Sequence, residues 1–108
     1  MVKIRPVIVL SPKLPYRSEI VTIVPVSLTE PRHELPFVVK LSKNYHPEEE
    51  DGLDCWAKCD MVTNLALHRL KSFKIDRRKY YTPQLTGEDL SAVKEGVIHG
   101  LGMKSLLL

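Results

Sequence analysis

Five cations crowd into one short stretch of the chain, Lys71, Lys74, Arg77, Arg78 and Lys79, and Phe73, Tyr80 and Tyr81 lie among them. Ammonium and guanidinium groups neutralise phosphates while aromatic faces stack unpaired bases, so this mixture suits single-stranded RNA. The same composition also fits a solvated loop whose tyrosines turn into the core. Cys55 and Cys59, with His46 and His68 on either side in sequence, are donor types that zinc accepts. No second cysteine pair or close histidine pair completes that motif, and buried thiols often serve simply as small hydrophobes. Glu48-Glu49-Glu50-Asp51 offers carboxylates to a divalent ion, but it lacks EF-hand spacing and reads as an exposed acidic tip. The sequence contains no glycine-rich phosphate loop, Gly-x-Ser-x-Gly elbow or His-Glu-x-x-His helix.

The scaffold for these residues has to be small. The 108 residues, 44% apolar and 27% charged, are enough for one core, and a single domain over residues 1–108 is expected. A formal charge of +3 permits a polyanionic partner without requiring one. Two cysteines make at most one bridge, so a disulfide framework is excluded. The start, Met-Val-Lys-Ile-Arg-Pro, lacks the features of a secretory signal. No apolar stretch approaches the roughly 20 residues of a membrane span. These features predict a cytoplasmic protein without a membrane partner.

Most of the elements read as strands. Residues 2–11 contain Val7-Ile8-Val9-Leu10, a β-branched run suited to a strand buried on both faces, and it stops at Pro12. Residues 11–18 carry turn chemistry. The run at 19–28 is again rich in Ile, Val and Thr, and Pro25 inside it predicts an edge, a bulge or a strand end. A loop at 31–35 leads to a third strand at 37–41. Residues 44–52 form an exposed loop, 53–62 another strand and 65–70 a short turn or helix, with one more extended piece at Tyr80-Tyr81. Thr86 then N-caps a helix whose Glu88 and Asp89 suit the positive end of the dipole. Its apolar stripe is Leu90, Val93, Val97, Ile98 and Leu101, and Gly102 stops it. A mainly β (α+β) fold follows, a small barrel with one C-terminal amphipathic helix.

At Arg5-Pro-Val-Ile-Val-Leu-Ser11 the chain resembles the PemK/MazF family of bacterial toxin endoribonucleases, whose signature strand reads R-P-(V/A)-(V/I/L)-V-L-S. The similarity continues in register. Val24-Pro-Val-Ser27 is similar to the family's V/I-Pro-x-(S/T)-(S/T), and Leu35-Pro-Phe-Val-Val39 to Y-P-F-E-V. Residues 52–62, ending Cys59-Asp-Met-Val62, resemble G-x-x-x-x-D-Q-V, and Leu67-His-Arg-Leu70 resembles S-(I/L)-x-x-R.

The resemblance implies an SH3-like barrel of the CcdB/PemK/MazF type, dimeric, with its sites at the subunit interface. It implies metal- and cofactor-independent cleavage of single-stranded RNA at short sequences, as in an mRNA interferase. The product is a 2′,3′-cyclic phosphate. A cognate antitoxin opposes the activity by laying its tail in the RNA groove, and operator DNA is reached only through that antitoxin. Arg5 matches the family's functional arginine. Ser27 aligns with the first hydroxyl of the family's pair, Leu28 falls on the second, and Thr29 supplies it if the strand shifts by one residue. Where the family begins with a Gly-Asp-(I/L) strand and an acidic loop, only Met1-Val-Lys-Ile precedes Arg5, so that strand and loop are expected to be missing. The alternative is a truncated or catalytically degenerate module that keeps the barrel and binds an antitoxin or another protomer.

Overall fold

The computed structural model describes residues 6–11, 15–16, 19–45, 53–71, 73–76 and 79–106, with backbone alone for 73–76, 79–81 and 106. In chain order the strands are β1 (Val7–Val9), β2 (Ile20–Ser27), β3 (Val38–Lys40), β4 (Trp56–Lys58), β5 (Thr63–Ala66), β6 (Phe73–Asp76) and β7 (Lys79–Tyr81), followed by helix α1 (Gly87–Gly100). Five of them make one antiparallel sheet in the order β1-β2-β4-β3, with β5 also on β2, while β6 and β7 form a separate hairpin. The fold is mainly β with one C-terminal helix, an arrangement compatible with a small barrel. No helix among the described residues is long and apolar enough to cross a membrane.

β2 is the axis, and its proline dictates how its neighbours are divided. Val26 donates its N–H to the Pro6 carbonyl (3.1 Å) and Leu10 donates to the Thr22 carbonyl (2.9 Å), so even-numbered positions of β2 bond toward β1. Alternation aims the odd-numbered N–H groups at β5 and β4, and Pro25 has none to offer there. On that side the partner chain leaves the ladder. Ile23 faces Thr63 and Val26 faces Ala57, so two residues of β2 stand against five, and the 3-10 turn Cys59–Met61 takes up the excess. The proline therefore marks a bulge on one edge while the other edge stays paired, with Val7 opposite Pro25.

The core lies on the face bearing Ile8, Val24 and Ala57, closed by Leu41, Cys55, Cys59 and Val93 of α1. The helix begins at Thr86, whose hydroxyl accepts the Asp89 N–H at 3.1 Å. At its other end Gly102 N–H donates to the His99 carbonyl (3.0 Å) and Met103 N–H to that of Ile98 (2.9 Å), with Gly102 at φ +71°. This is a Schellman stop built on a left-handed glycine. Both ends match the expectation from sequence.

The buried face of α1 matches in part. Val93 of the predicted stripe is fully buried and Val97 packs against the core, but Asp89 and Gly96 are buried as well and Leu101 is 56% exposed. Glycines explain the difference. A Cβ at Gly96 would stand 2.7 Å from Cys59 Sγ and 2.8 Å from Val39 Cγ2, and one at Gly100 would stand 3.0 Å from the Asp60 Cα. The helix backbone thus lies directly on β3 and the 3-10 turn, and the line of closest approach runs through Gly96 and Gly100 beside Val93 and Val97 of the predicted stripe. Three strand expectations also change. Val9 is 48% exposed, so β1 is not buried on both faces. The predicted strand at 53–62 is only three residues long before the 3-10 turn. The segment at 65–70 divides into the end of β5 and a 3-10 turn, Leu67–Arg69.

Candidate functional site

Ser27 is the last residue of β2, and its place follows from the register. It sits directly opposite Trp56 of β4, which in turn sits opposite Lys40 of β3. Side chains directly across a ladder share a face, so Ser27, Trp56 and Lys40 form a row on the side of the sheet away from α1, with Lys58 one step along. Trp56 is only 9% exposed, so it supports this row rather than offering a free stacking surface. Lys40 meets Asp54 at 3.4 Å, both ends well exposed, a pair of little energetic weight.

Beyond Ser27 the chain turns. The Ser27 hydroxyl accepts the Thr29 N–H at 3.1 Å, a serine turn that brings the two hydroxyl residues together and directs Leu28 outward, where it is half exposed. The turn keeps the Thr29 backbone within hydrogen-bond distance of the Ser27 hydroxyl. Arg5 lies outside the described residues. Its covalent neighbour Pro6 is described, and the Pro6 carbonyl accepts the N–H of Val26, the residue before Ser27.

Among the described residues β6 and β7 pair only with each other, apart from the sheet that carries this row. Lys71 is exposed just before β6, Lys74 lies on β6 and Lys79 on β7, and Arg77 and Arg78 lie outside the described residues. Lys74 and Lys79 are thus carried by paired strands with a register shift between Lys74 and Asp76.

The cysteines go to the core. The Cys59 Sγ is fully buried beside Gly96, and burial first, then the negative charge of Asp60, push its pKa up to about 11. The Cys55 thiol reaches the Lys43 carbonyl at 3.4 Å. Among the described residues no three His, Cys, Asp or Glu side chains converge on a point that could hold a metal. His68 is exposed, and His46 and the acidic block at 48–51 lie outside the described residues.

Sequence reasoning missed three features. Lys40 and Lys58 join the Ser27 row through the register of β2, β4 and β3, which no local sequence pattern signals. Tyr16 is fully exposed in a turn after Pro15 with φ +62°, a left-handed conformation rarely adopted by a bulky side chain. The third feature is Asp89. It is 5% exposed, and its carboxylate accepts the Ser42 N–H (3.1 and 3.2 Å), the Ser42 hydroxyl (2.7 Å) and the Tyr45 hydroxyl (2.5 Å). Tyr45 Oη in turn accepts the Thr86 N–H at 3.2 Å. The ammonium of Lys43 stands 5.0 Å above the Tyr45 ring. Burial alone would raise the pKa of Asp89. The bonds from Tyr45 and Ser42, with the charge of Lys43, outweigh it and hold the carboxyl below its ordinary value.

Compared with known protein families, residues 1–101 match the model described as PemK-like, MazF-like toxin of type II toxin-antitoxin system. No individual curated protein matches the chain.

Proposed function

The chain belongs to the PemK-like, MazF-like toxins of type II toxin-antitoxin systems, and from that premise we propose that it is a metal-independent endoribonuclease cutting single-stranded RNA. In the proposed reaction the ribose 2′-oxygen attacks the adjacent phosphorus and gives up its proton to a base. The P–O5′ bond breaks, the 5′-oxygen takes up a proton, and a 2′,3′-cyclic phosphate remains. Arg5 stabilises the charge building on the phosphorane, because a guanidinium offers two parallel donors and never gives up its proton near neutral pH. Ser27 already accepts from Thr29, so its own proton is available to a phosphate oxygen, and Thr29 adds a second donor at the same turn.

The observation that carries the reading is this turn at the end of β2, which begins two peptide bonds and one hydrogen bond away from Arg5 in the covalent and ladder connectivity. Lys40 lies two strands from Ser27, about 10 Å at the spacing of neighbouring strands. It and Lys58 extend cationic character along the same face. Lys71, Lys74, Arg77, Arg78 and Lys79 supply a second phosphate-binding element, with Lys74 on β6 and Lys79 on β7, and the exposed Tyr16 is available to stack a base. We further propose one domain across residues 1–108, a homodimer, a cytoplasmic location, and contact with operator DNA only through the antitoxin.

The test is purified protein with single-stranded RNA in EDTA. Cleavage with 2′,3′-cyclic ends, abolished in Arg5→Ala, is expected. RNA left intact where another member of the family cuts it overturns the catalytic reading.

A further inference from the structure

The row that starts at Ser27 ends in an ion pair. Lys40 stands two strands from Ser27 with Trp56 between them, and its ammonium meets the Asp54 carboxylate at 3.4 Å. Asp54 lies two residues before Trp56, where alternation returns to the same face. The backbones beneath the pair are fixed. Leu41 N–H donates to the Cys55 carbonyl at 3.0 Å, both residues are buried, and Val39 rests against Gly96 of α1. The charged ends are open by contrast, with side chains 58% and 56% exposed. An ion pair so exposed gains little from its own contact, so the lysine changes partners at small cost.

The row also fixes the new partner. Ser27 and Lys40 are about 10 Å apart between Cα atoms, and the flexible four-carbon stem of lysine carries its ammonium over much of that distance. Trp56 between them is 9% exposed and leaves no ring face for a base. We propose that Lys40 is the subsite for a phosphate flanking the scissile linkage, and that Asp54 is the resident counter-ion that RNA displaces. A strand whose scissile phosphate sits on the turn at Ser27 and Thr29 brings a neighbouring phosphate to Lys40, where it takes the place of the carboxylate. Asp54 stays behind as an unpaired negative charge that opposes the strand and holds its affinity down. The subsite rests on the ribonuclease reading, in which Asp54 has no part.

The experiment measures binding of the full chain to an RNA carrying the sequence it cuts, made with a 2′-deoxyribose at the cut position so that the strand stays whole. Fluorescence anisotropy between about 50 and 200 mM salt gives the affinity and its salt dependence. Lys40→Ala should weaken binding about fivefold and lower the slope of log affinity against log salt by about 0.7, the value for one phosphate of a single strand. Asp54→Asn should tighten binding about threefold, the scale of an exposed charge pair. Lys94→Ala removes the same charge from an exposed position of α1 and should change neither quantity. A scan replacing one phosphate at a time by a neutral methylphosphonate should find a flanking linkage whose loss costs the unmodified protein about fivefold and Lys40→Ala almost nothing. Should Lys40→Ala unfold, Asp54→Asn and the scan on the unmodified protein decide. A protein that neither cuts nor binds RNA overturns the ribonuclease reading and the subsite with it. Where RNA is bound, the subsite alone falls if Lys40→Ala leaves affinity and slope unchanged or if Lys94→Ala costs as much. It falls equally if Asp54→Asn weakens binding or if no flanking linkage stands out in the scan.

Discussion

Asp89 is the residue whose loss should cost the most for the fewest atoms removed. In Asp89→Ala three donors lose their acceptor: the Ser42 N–H, the Ser42 hydroxyl and the Tyr45 hydroxyl. A hydrogen bond to a charged group contributes about 1.5–3 kcal/mol net. Ser42 is exposed and Tyr45 half-buried, so both hydroxyls can turn to water and recover part of that, which sets the total near 3–4 kcal/mol. Against a whole-domain stability of about 5–15 kcal/mol this is a large fraction, and it lowers the melting temperature by roughly 12–30 °C. Asp89→Asn keeps one acceptor but turns an N–H₂ toward donors, and should cost about 2 kcal/mol. The pH dependence has a fixed sign. Because the folded carboxyl titrates below the ordinary value of 3.8, its stabilisation is complete above that pH and disappears as pH falls through the lower folded value. Urea denaturation from neutral pH to about pH 3 should show the unmodified protein losing its advantage over Asp89→Asn at the acid end. Parallel pH curves for the two proteins, or a cost of Asp89→Ala below about 1 kcal/mol, would refute the assignment of this carboxylate as the anchor of α1.

Gly96→Ala should destabilise by about 1–3 kcal/mol through the contacts with Cys59 and Val39, despite alanine's better helix propensity. Cys59→Ala in the same chain should relieve much of that, whereas Gly87→Ala, which meets nothing, should be neutral or stabilising; additive costs at 96 and 59 would argue against the close approach. The Cys59 thiol, fully buried and with its pKa raised to about 11, should react with a disulfide reagent only as fast as the protein opens, and rapid labelling of the native state at mildly alkaline pH would contradict its placement. Ser27→Ala should slow RNA cleavage about 100-fold, the usual cost of removing one preorganised donor to a transition-state oxygen, with little loss of stability; an unchanged rate would move that role to Thr29 alone.

Much of the fold was legible because it is written in local chemistry. Thr86 and Gly102 carry the signals of a helix cap and a left-handed stop, and both do what those residues do. Pro25 announced an interruption within a strand, and its missing donor falls on the edge where the partner chain bulges out. Asp89 was only half legible. Its position in the first turn fits a dipole role, but nothing local says that Ser42 and Tyr45, more than forty residues earlier, arrive to surround it. The helix face was legible at Val93 and Val97 and incomplete elsewhere for a related reason. Hydrophobic periodicity weighs side chains, and here the closest approach is made by Gly96 and Gly100, which have none. At the candidate site the residues Ser27 and Thr29 came from resemblance, whereas Lys40 and Lys58 required the register of three strands.

The two faces of the sheet are coupled, which bears on how the candidate site is held. Ser27 belongs to β2, secured by β1 on one edge and by β4 and β5 on the other. Lys40 belongs to β3, which rests on β4 alone within the sheet and is followed two residues later by Ser42, tied to Asp89. α1 thus anchors β3 through the carboxylate and through Gly96 against Val39. Weakening that anchor should free the amides of β3 for exchange before those of β2, because local opening follows the least-supported element. In Asp89→Asn at neutral pH the Lys40 end of the cationic row should therefore loosen while the serine turn at 27–29 keeps its geometry. An RNA affinity that falls while the single-turnover rate on saturating RNA is unchanged is the kinetic form of the same argument.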